Sequence, residues 1–337
     1  MDTRQSNQRQ PLPERAAAPA SAEDNAQVNI PAKALQLFSA LEQRLGAYVF
    51  GKEEQIRLAL CCLFAKGHLL IEDIPGIGKT TLAKALATVL GLEFRRVQCT
   101  NDMLPGDILG VSIFDQANGA FSFHPGAVFT QILLADEINR ATAKTQSALL
   151  EAMEERQVSI EGESHPLPMP FFVVATQNPL EQAGTYPLPE SQLDRFLMKI
   201  SLGYPSREAE RRLLVAGGIT VTADERPLVN AKVVLHLQEQ VSRVRLSKAI
   251  VAYLQDILNF SRDSGRFAIG LSPRAGLLLA RASQAHALLN GRNFALPEDV
   301  RRVLPHIAGH RLRTADSLEA LTIAELETVF QAVPIPA

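Results

Sequence analysis

Two groups of residues in this 337-residue chain have the types and spacing needed for polyphosphate chemistry. The first is Pro75-Gly76-Ile77-Gly78-Lys79-Thr80-Thr81, which follows a short apolar run and opens a helical pattern. Its glycines let the backbone curl so that successive N–H groups converge on anionic oxygens, with a helix N-terminus behind them. Lys79 is spaced to reach β- and γ-phosphates, and the Thr80 hydroxyl to ligate Mg²⁺. The usual pattern has glycine where this chain has Asp73, so the loop is less specific taken alone. The second group is Asp136-Glu137, which closes the apolar run from Gln131 to Ala135. Carboxylates at the end of a central parallel strand fall at the crevice where open α/β sheets bind nucleotides. There Asp136 would hold Mg²⁺, usually through water, and Glu137 would act as general base on an attacking water. The alternative for Asp136 is simple capping of the helix that follows.

Other candidates carry two readings each. Asn178 leaves the apolar run Phe171–Ala175 and would orient the lytic water, or else form a turn before Pro179. Arg195 is either a surface ion-pair residue or an arginine finger that stabilises transition-state charge on a neighbour's nucleotide. Arg274 falls in the first turn of a helix, where the dipole disfavours a cation. A nearby γ-phosphate would remove that conflict, and so would an Asp or Glu partner. Val49, Phe50 and Gly51 form either an interhelical turn or part of an adenine pocket. His306 and His310 have metal-ligand spacing on a helix but lack an HExxH arrangement or an evident third ligand.

These residues need strands, turns and helices to position them. Helical periodicity runs from Pro31 to about Gly46 and from Lys52 to Lys66, and a helix follows the phosphate loop to Leu90. Strands are expected at Phe94–Gln98, at 131–135, at 171–175 and from Leu197 to Leu202. One hairpin is expected between about 107 and 124, turning at Asp115–Gly119, with a short helical piece from Pro125 to Thr130. A second lies near 157–168. Between them the pattern predicts one amphipathic helix from Asn139 to Glu155, with Thr145, Gln146 and Glu154 on its polar face. After Pro205 the pattern is all helical: 207–216, 231–241, 248–262, 273–289 and 297–310. Ser272-Pro273 is a good helix start.

Composition narrows the classes. With 34 Lys and Arg against 36 Asp and Glu, the net charge of −2 gives no global electrostatic case for nucleic acid. Clustered arginines such as Arg211 and Arg301 are interleaved with acids, as on solvated helix faces. The longest apolar runs are strand-length, short of a membrane span. Three cysteines, Cys61, Cys62 and Cys99, lack the spacing of a disulfide or zinc framework and suit a reducing, cytoplasmic compartment. Residues 1–30 carry few large apolar side chains and no signal-peptide core, and are expected to be a disordered tail. The expected organisation is that tail, a nucleotide-binding domain over 31–205 and a helical domain over 206–337.

Taken together, Gly76–Thr81, Ala135-Asp136-Glu137-Ile138-Asn139-Arg140, Ala175-Thr176-Gln177-Asn178-Pro179, Leu193-Asp194-Arg195-Phe196 and Leu271-Ser272-Pro273-Arg274 resemble the MoxR family of AAA+ ATPases. Leu104–Gly110 and Phe123–Gly126 match as well, and the resemblance runs from about 35 to 310. It implies an α/β fold: a P-loop core with a parallel five-stranded sheet, two β-hairpin insertions and an all-α lid. By that resemblance Lys79 and Thr80 belong to Walker A, Asp136 and Glu137 to Walker B, Asn178 is sensor 1, Arg195 the finger and Arg274 sensor 2, in cis or in trans. The family implies ATP and Mg²⁺, a homo-oligomeric, typically hexameric ring, a partner with a von Willebrand factor A domain and a protein client to be matured. A chelatase-type motor subunit shares nearly all these motifs, and a nucleotide-gated scaffold with little turnover is a further alternative. A DNA-acting motor or sigma-factor activator fits less well. The stretch Asn118–Phe121 lacks the Gly-Ala-Phe-Thr-Gly-Ala those activators use, and no helix-turn-helix candidate is present.

Overall fold

The computed structural model describes residues 32–116, 119–180, 184–218, 221 and 225–336; the tail expected over 1–30 lies outside them. Helices α1 (Ala32–Gly46) and α2 (Glu53–Phe64) precede β1 (Leu69–Glu72), and α3 (Lys79–Leu90) returns the chain to β2 (Phe94–Gln98). A short helix α4 (Pro105–Leu109) leads into the first hairpin, β3 (Gly110–Asp115) and β4 (Ala120–Pro125). Strand β5 (Ile132–Asp136), helix α5 (Ala143–Glu155) and the second hairpin, β6 (Gln157–Ile160) and β7 (Glu163–Pro166), follow. Strand β8 (Phe172–Gln177), helix α6 (Glu190–Leu193) and β9 (Met198–Ile200) complete the core.

The five central strands lie in the order β2-β5-β8-β1-β9, all parallel. Their apolar runs are continuous because helices cover both faces. Leu69, Ile71, Ile132, Leu134, Phe172 and Val174 point to one side, against α1, α2 and α3. Leu70, Leu133, Ala135, Val173 and Ala175 point to the other, against α5. This strict alternation fixes register, since a slip of one residue would exchange every side chain between the two cores. Ala135 pairs with Ala175, Leu70 with Ala175 and Gln98 with Asp136, so the carboxyl ends of these strands are level with the phosphate loop.

The remainder is helical: α7 (Arg207–Ala216), α8 (Ala231–Arg243), α9 (Lys248–Asp263), α10 (Pro273–Leu289), α11 (Pro297–Ala308) and α12 (Ile323–Phe330). Ser206, Asn230, Ser247, Ser272 and Thr322 cap five of these helices through their side chains. This lid packs on the core through α2, where Gln238 Nε2 donates to the Leu63 carbonyl at 2.8 Å.

Some local expectations are corrected. The helix expected from Asn139 is broken: Ile138–Arg140 is a 3₁₀ turn, and α5 begins only at Ala143 with Thr142 as its cap. Thr145 and Gln146 face inward, because Thr145 Oγ1 donates to the Met103 carbonyl and Gln146 Nε2 to the carbonyls of Ile138, Ala141 and Tyr186. The segment after Pro125 is a turn, not a helix. A Cβ at Gly126 would come within 2.3 Å of the Ile108 carbonyl oxygen, so the chain there passes too close to its neighbour for a side chain. Residues 107–109 belong to α4 rather than to the hairpin.

Candidate active site

The phosphate loop connects β1 to α3. Gly76 and Gly78 have φ of 82° and 97°, and no atom lies within 4 Å of a Cβ built on either. The glycines are therefore required by dihedral angle and not by crowding. Helix α3 starts at Lys79, so its unpaired N–H groups and the positive end of its dipole face the loop. Ile77 packs against the core below, anchoring the turn.

Asp73 explains itself here. Its Oδ1 accepts from the Ile74 N–H at 2.9 Å, and its Oδ2 accepts from Ser201 Oγ at 2.8 Å and the Gly203 N–H at 2.7 Å. The side chain fastens the entrance of the loop to the segment after β9, a use that glycine cannot serve. Lys79 is buried, and its Nζ donates to the Asp73 carbonyl at 2.6 Å. Burial lowers its pKa against the opposing pull of Asp73, Asp136 and Glu137.

A cleft of about 380 Å³ is lined by Pro75, Gly76, Gly78, Lys79, Thr80, Thr81, Arg96, Gln98, Asp136, Glu137 and Asn178. Residues from four separate stretches of sequence thus meet around one volume. Asp136 caps no helix, contrary to the simpler alternative; its Oδ1 accepts from Thr176 Oγ1 at 2.6 Å and its Oδ2 from Arg96 Nη2 at 2.7 Å. Glu137 has a left-handed φ of 56°, a conformation that turns its carboxylate out of the strand line and costs about 1 kcal/mol or more. Its Oε2 accepts from Gln98 Nε2 at 2.8 Å and lies 3.1 Å from Arg140 Nε, while its N–H donates to Thr176 Oγ1. A carboxylate and a hydroxyl sharing one cleft are hard oxygen donors, the set that suits Mg²⁺, so Thr80 and Asp136 fit such an ion.

Asn178 lines the cleft, and its Oδ1 accepts from the Leu180 N–H at 3.1 Å, the turn expected around Pro179. Val49–Gly51 is not part of the lining of this cleft and forms a turn against α7. There the Arg212 guanidinium sits 4.3 Å from the centre of the Phe50 ring, and a Cβ on Gly51 would stand 3.2 Å from Ala209 Cβ. Arg195 and Arg274 also lie outside the cleft lining and meet instead on Glu154, at 3.2 Å and 2.8 Å. Acidic partners thus answer the dipole conflict at Arg274. His306 and His310 are buried in the lid, which lowers both pKa values, and His310 Nε2 faces the Phe196 carbonyl.

Arg96, Gln98 and Thr176 escaped the sequence reading although all three touch the acidic pair. Arg96 and Gln98 are two apart on β2 and so share a face. That alternation was a readable signal, but its target depends on β2 lying beside β5.

Residues 68–198 match the model of the ATPase family associated with various cellular activities (AAA), and residues 259–329 match the AAA lid domain. The chain is 43% identical over 271 residues to the YeaC protein of Bacillus subtilis, covering 80% of this chain and 85% of that one. It is 41% identical over 300 residues to Chaperone MoxR1 of Mycobacterium tuberculosis, covering 86% and 79% respectively. The crystal structure of a candidate ATPase from Cytophaga hutchinsonii superposes with a TM-score of 0.81 at 35% identity, over 90% of this chain and 96% of that one. With the phosphate loop, the acidic strand end, the parallel sheet and the helical lid in one order, the chain belongs to the MoxR family of AAA+ ATPases.

Proposed function

We propose that the protein hydrolyses ATP as a subunit of a homo-oligomeric, hexameric ring and uses the turnover to remodel a protein client. One observation carries the reading: Lys79, Thr80, Asp136, Glu137 and Asn178 converge on a single cleft while Arg195 and Arg274 stay outside it. Within the cleft, the loop N–H groups and Lys79 would hold the phosphates, and Asn178 would orient the lytic water. Thr80 and Asp136 would hold Mg²⁺, which when bound would supply positive charge to offset the charge developing on the phosphate. Glu137 would take the proton from the attacking water once it exchanges Gln98 for that water. The missing positive charge for the transition state would come from a neighbouring subunit's Arg195, assisted by its Arg274.

The remodelling role draws support from the word chaperone in the mycobacterial relative's name. A partner with a von Willebrand factor A domain rests on family resemblance. A cytoplasmic setting is supported by three buried, unpaired thiols. Among the described residues no helix is long and apolar enough to cross a membrane. The test is steady-state ATP turnover of wild type and Glu137→Gln at equal nucleotide occupancy. Loss of turnover with retained binding is expected, and indistinguishable rates would overturn the enzymatic reading in favour of a nucleotide-gated scaffold. Pull-down with Glu137→Gln held in ATP would then identify the partner.

A further inference from the structure

Glu154 stands in the last turn of α5, the end of a helix where the dipole disfavours an anion. Arg274 stands in the first turn of α10, the end where it disfavours a cation. Each breaks a local rule, and each is matched by the other: Glu154 Oε1 accepts from Arg274 Nη1 at 2.8 Å. The second oxygen of the same carboxylate lies 3.2 Å from Arg195 Nε, just past α6. Behind this pair Asp194 Oδ1 accepts from Arg311 Nε at 2.6 Å and its Oδ2 lies 3.9 Å from Arg274 Nε. Three guanidinium groups thus face two carboxylates, which leaves the cluster one positive charge in excess. Arg311 is buried, but Glu154, Arg195 and Arg274 keep 37%, 28% and 42% of their side chains exposed. The exposed members are therefore free to exchange partners.

We propose that Glu154 is a positioning residue: it holds Arg195 and Arg274 side by side as one two-armed cation and releases them to the polyphosphate of a neighbouring subunit. The inference rests on the reading that Arg195 acts across a subunit boundary. A carboxylate bridging two guanidinium groups keeps both in the plane and spacing that a phosphate group also requires. Partly exposed pairs of this kind are weak, so a polyphosphate with several negative oxygens displaces the single carboxylate. Glu154 would therefore both preorganise the arginines and compete with the nucleotide for them.

The two effects separate in kinetics. Glu154→Gln keeps the shape and one acceptor oxygen while removing the competing charge. At protein concentrations that saturate assembly, it should lower KM for ATP about three- to tenfold with kcat held within about twofold. Glu154→Ala leaves the arginines untethered and should lower kcat about tenfold or more. ATP affinity of the unassembled subunit, read with a fluorescent ATP analogue at low protein concentration, should be unchanged in both, because Glu154 lies outside the cleft. Thermal unfolding midpoints within a few degrees of wild type show that both variants fold. Wild-type kcat and KM in both variants would overturn the proposal, as would a matching change in the affinity of the unassembled subunit. Arg195→Ala separates this failure from failure of the underlying reading. If Arg195→Ala abolishes turnover while the Glu154 variants behave as wild type, only the role of Glu154 is lost. If Arg195→Ala turns over normally, the cross-subunit reading falls and the Glu154 proposal with it.

Discussion

Acidification should destabilise this protein through His68, the residue immediately before β1. Its Nδ1 accepts from the Val173 N–H at 3.0 Å, and its Nε2 lies 3.1 Å from the Met153 carbonyl. Only the tautomer with its proton on Nε2 satisfies both bonds, and a second proton would point Nδ1–H at the Val173 N–H. Burial pushes the His68 pKa from 6.5 down to about 4; the bond to Met153 opposes that shift and Arg156 adds to it. Because the folded pKa is depressed, the unfolded chain binds the proton first as pH falls. Stability from this group is complete above about pH 6.5 and declines as pH falls towards 4. At about 1.4 kcal/mol per pKa unit the whole fall amounts to about 3 kcal/mol, of which about 2 kcal/mol is gone by pH 5. The assay is urea unfolding of nucleotide-free wild type and His68→Asn at pH 7.5 and pH 5. Asn retains an acceptor for the Val173 N–H but does not titrate. It will be less stable than wild type at pH 7.5, yet its loss on going to pH 5 should be smaller by about 2 kcal/mol. His306 and His310, also held below the usual range by burial, contribute to both proteins and cancel in the difference. Equal losses in the two proteins would refute the reasoning.

Three further perturbations test the cleft. Asp73→Gly restores the usual loop residue but removes three hydrogen bonds, so thermal or urea unfolding should report a loss of about 1–3 kcal/mol with nucleotide binding retained. Arg96→Ala removes the cation that now neutralises Asp136. It should lower the Mg²⁺ concentration needed for half-maximal ADP·Mg²⁺ binding, a shift read by titration, and an unchanged or raised requirement would contradict competition at Asp136. Lys79→Ala should weaken ATP binding at least tenfold by calorimetry, which corresponds to about 1.4 kcal/mol or more; undiminished affinity would remove Lys79 from the phosphate site.

The residues that lie close together in sequence were legible, and those brought together by strand order were not. Gly76–Thr81 and Asp136-Glu137 each announce their chemistry within a few residues, because a tight turn and a strand end are local structures. The sheet was legible for a related reason. Runs such as 131–135 are apolar at every position, which only a strand covered on both faces tolerates. By contrast, Arg96, Gln98 and Thr176 reach the acidic pair only because β2 and β8 flank β5. The helix expected at 139–155 forms from Ala143, but its polar face was misplaced through tertiary override: Gln146 is polar by type but buried, with its amide on three backbone carbonyls. Periodicity treats such a residue as solvent-facing. Glu154 illustrates the same limit, since its two partners come from 41 and 120 residues away in sequence.

A common feature links these hidden partners. Every charged group assigned to ATP chemistry already has a resident partner within the protomer. Lys79 is held by the Asp73 carbonyl, Asp136 by Arg96 and Thr176, Glu137 by Gln98 and Arg140, and the two outer arginines by Glu154. Buried and half-buried charges demand this, because an unpaired charge removed from water is strongly destabilising. On the proposed function, nucleotide binding is therefore an exchange of partners and not the filling of open valences. Its free energy is a difference between two satisfied states, so substitutions of resident partners should tune affinity in either direction, whereas substitutions of the phosphate-facing groups only weaken it. On this reading Gln98 gives up Glu137 Oε2 to the attacking water, and Glu154 releases Arg195 to a neighbour's nucleotide. A subunit without a neighbour's polyphosphate keeps its finger on Glu154, and a cleft without a neighbour's finger lacks transition-state charge. Turnover on this reading requires two adjacent subunits and should rise with the square of protein concentration below the assembly threshold; strictly linear dependence down to the lowest measurable concentration would contradict it.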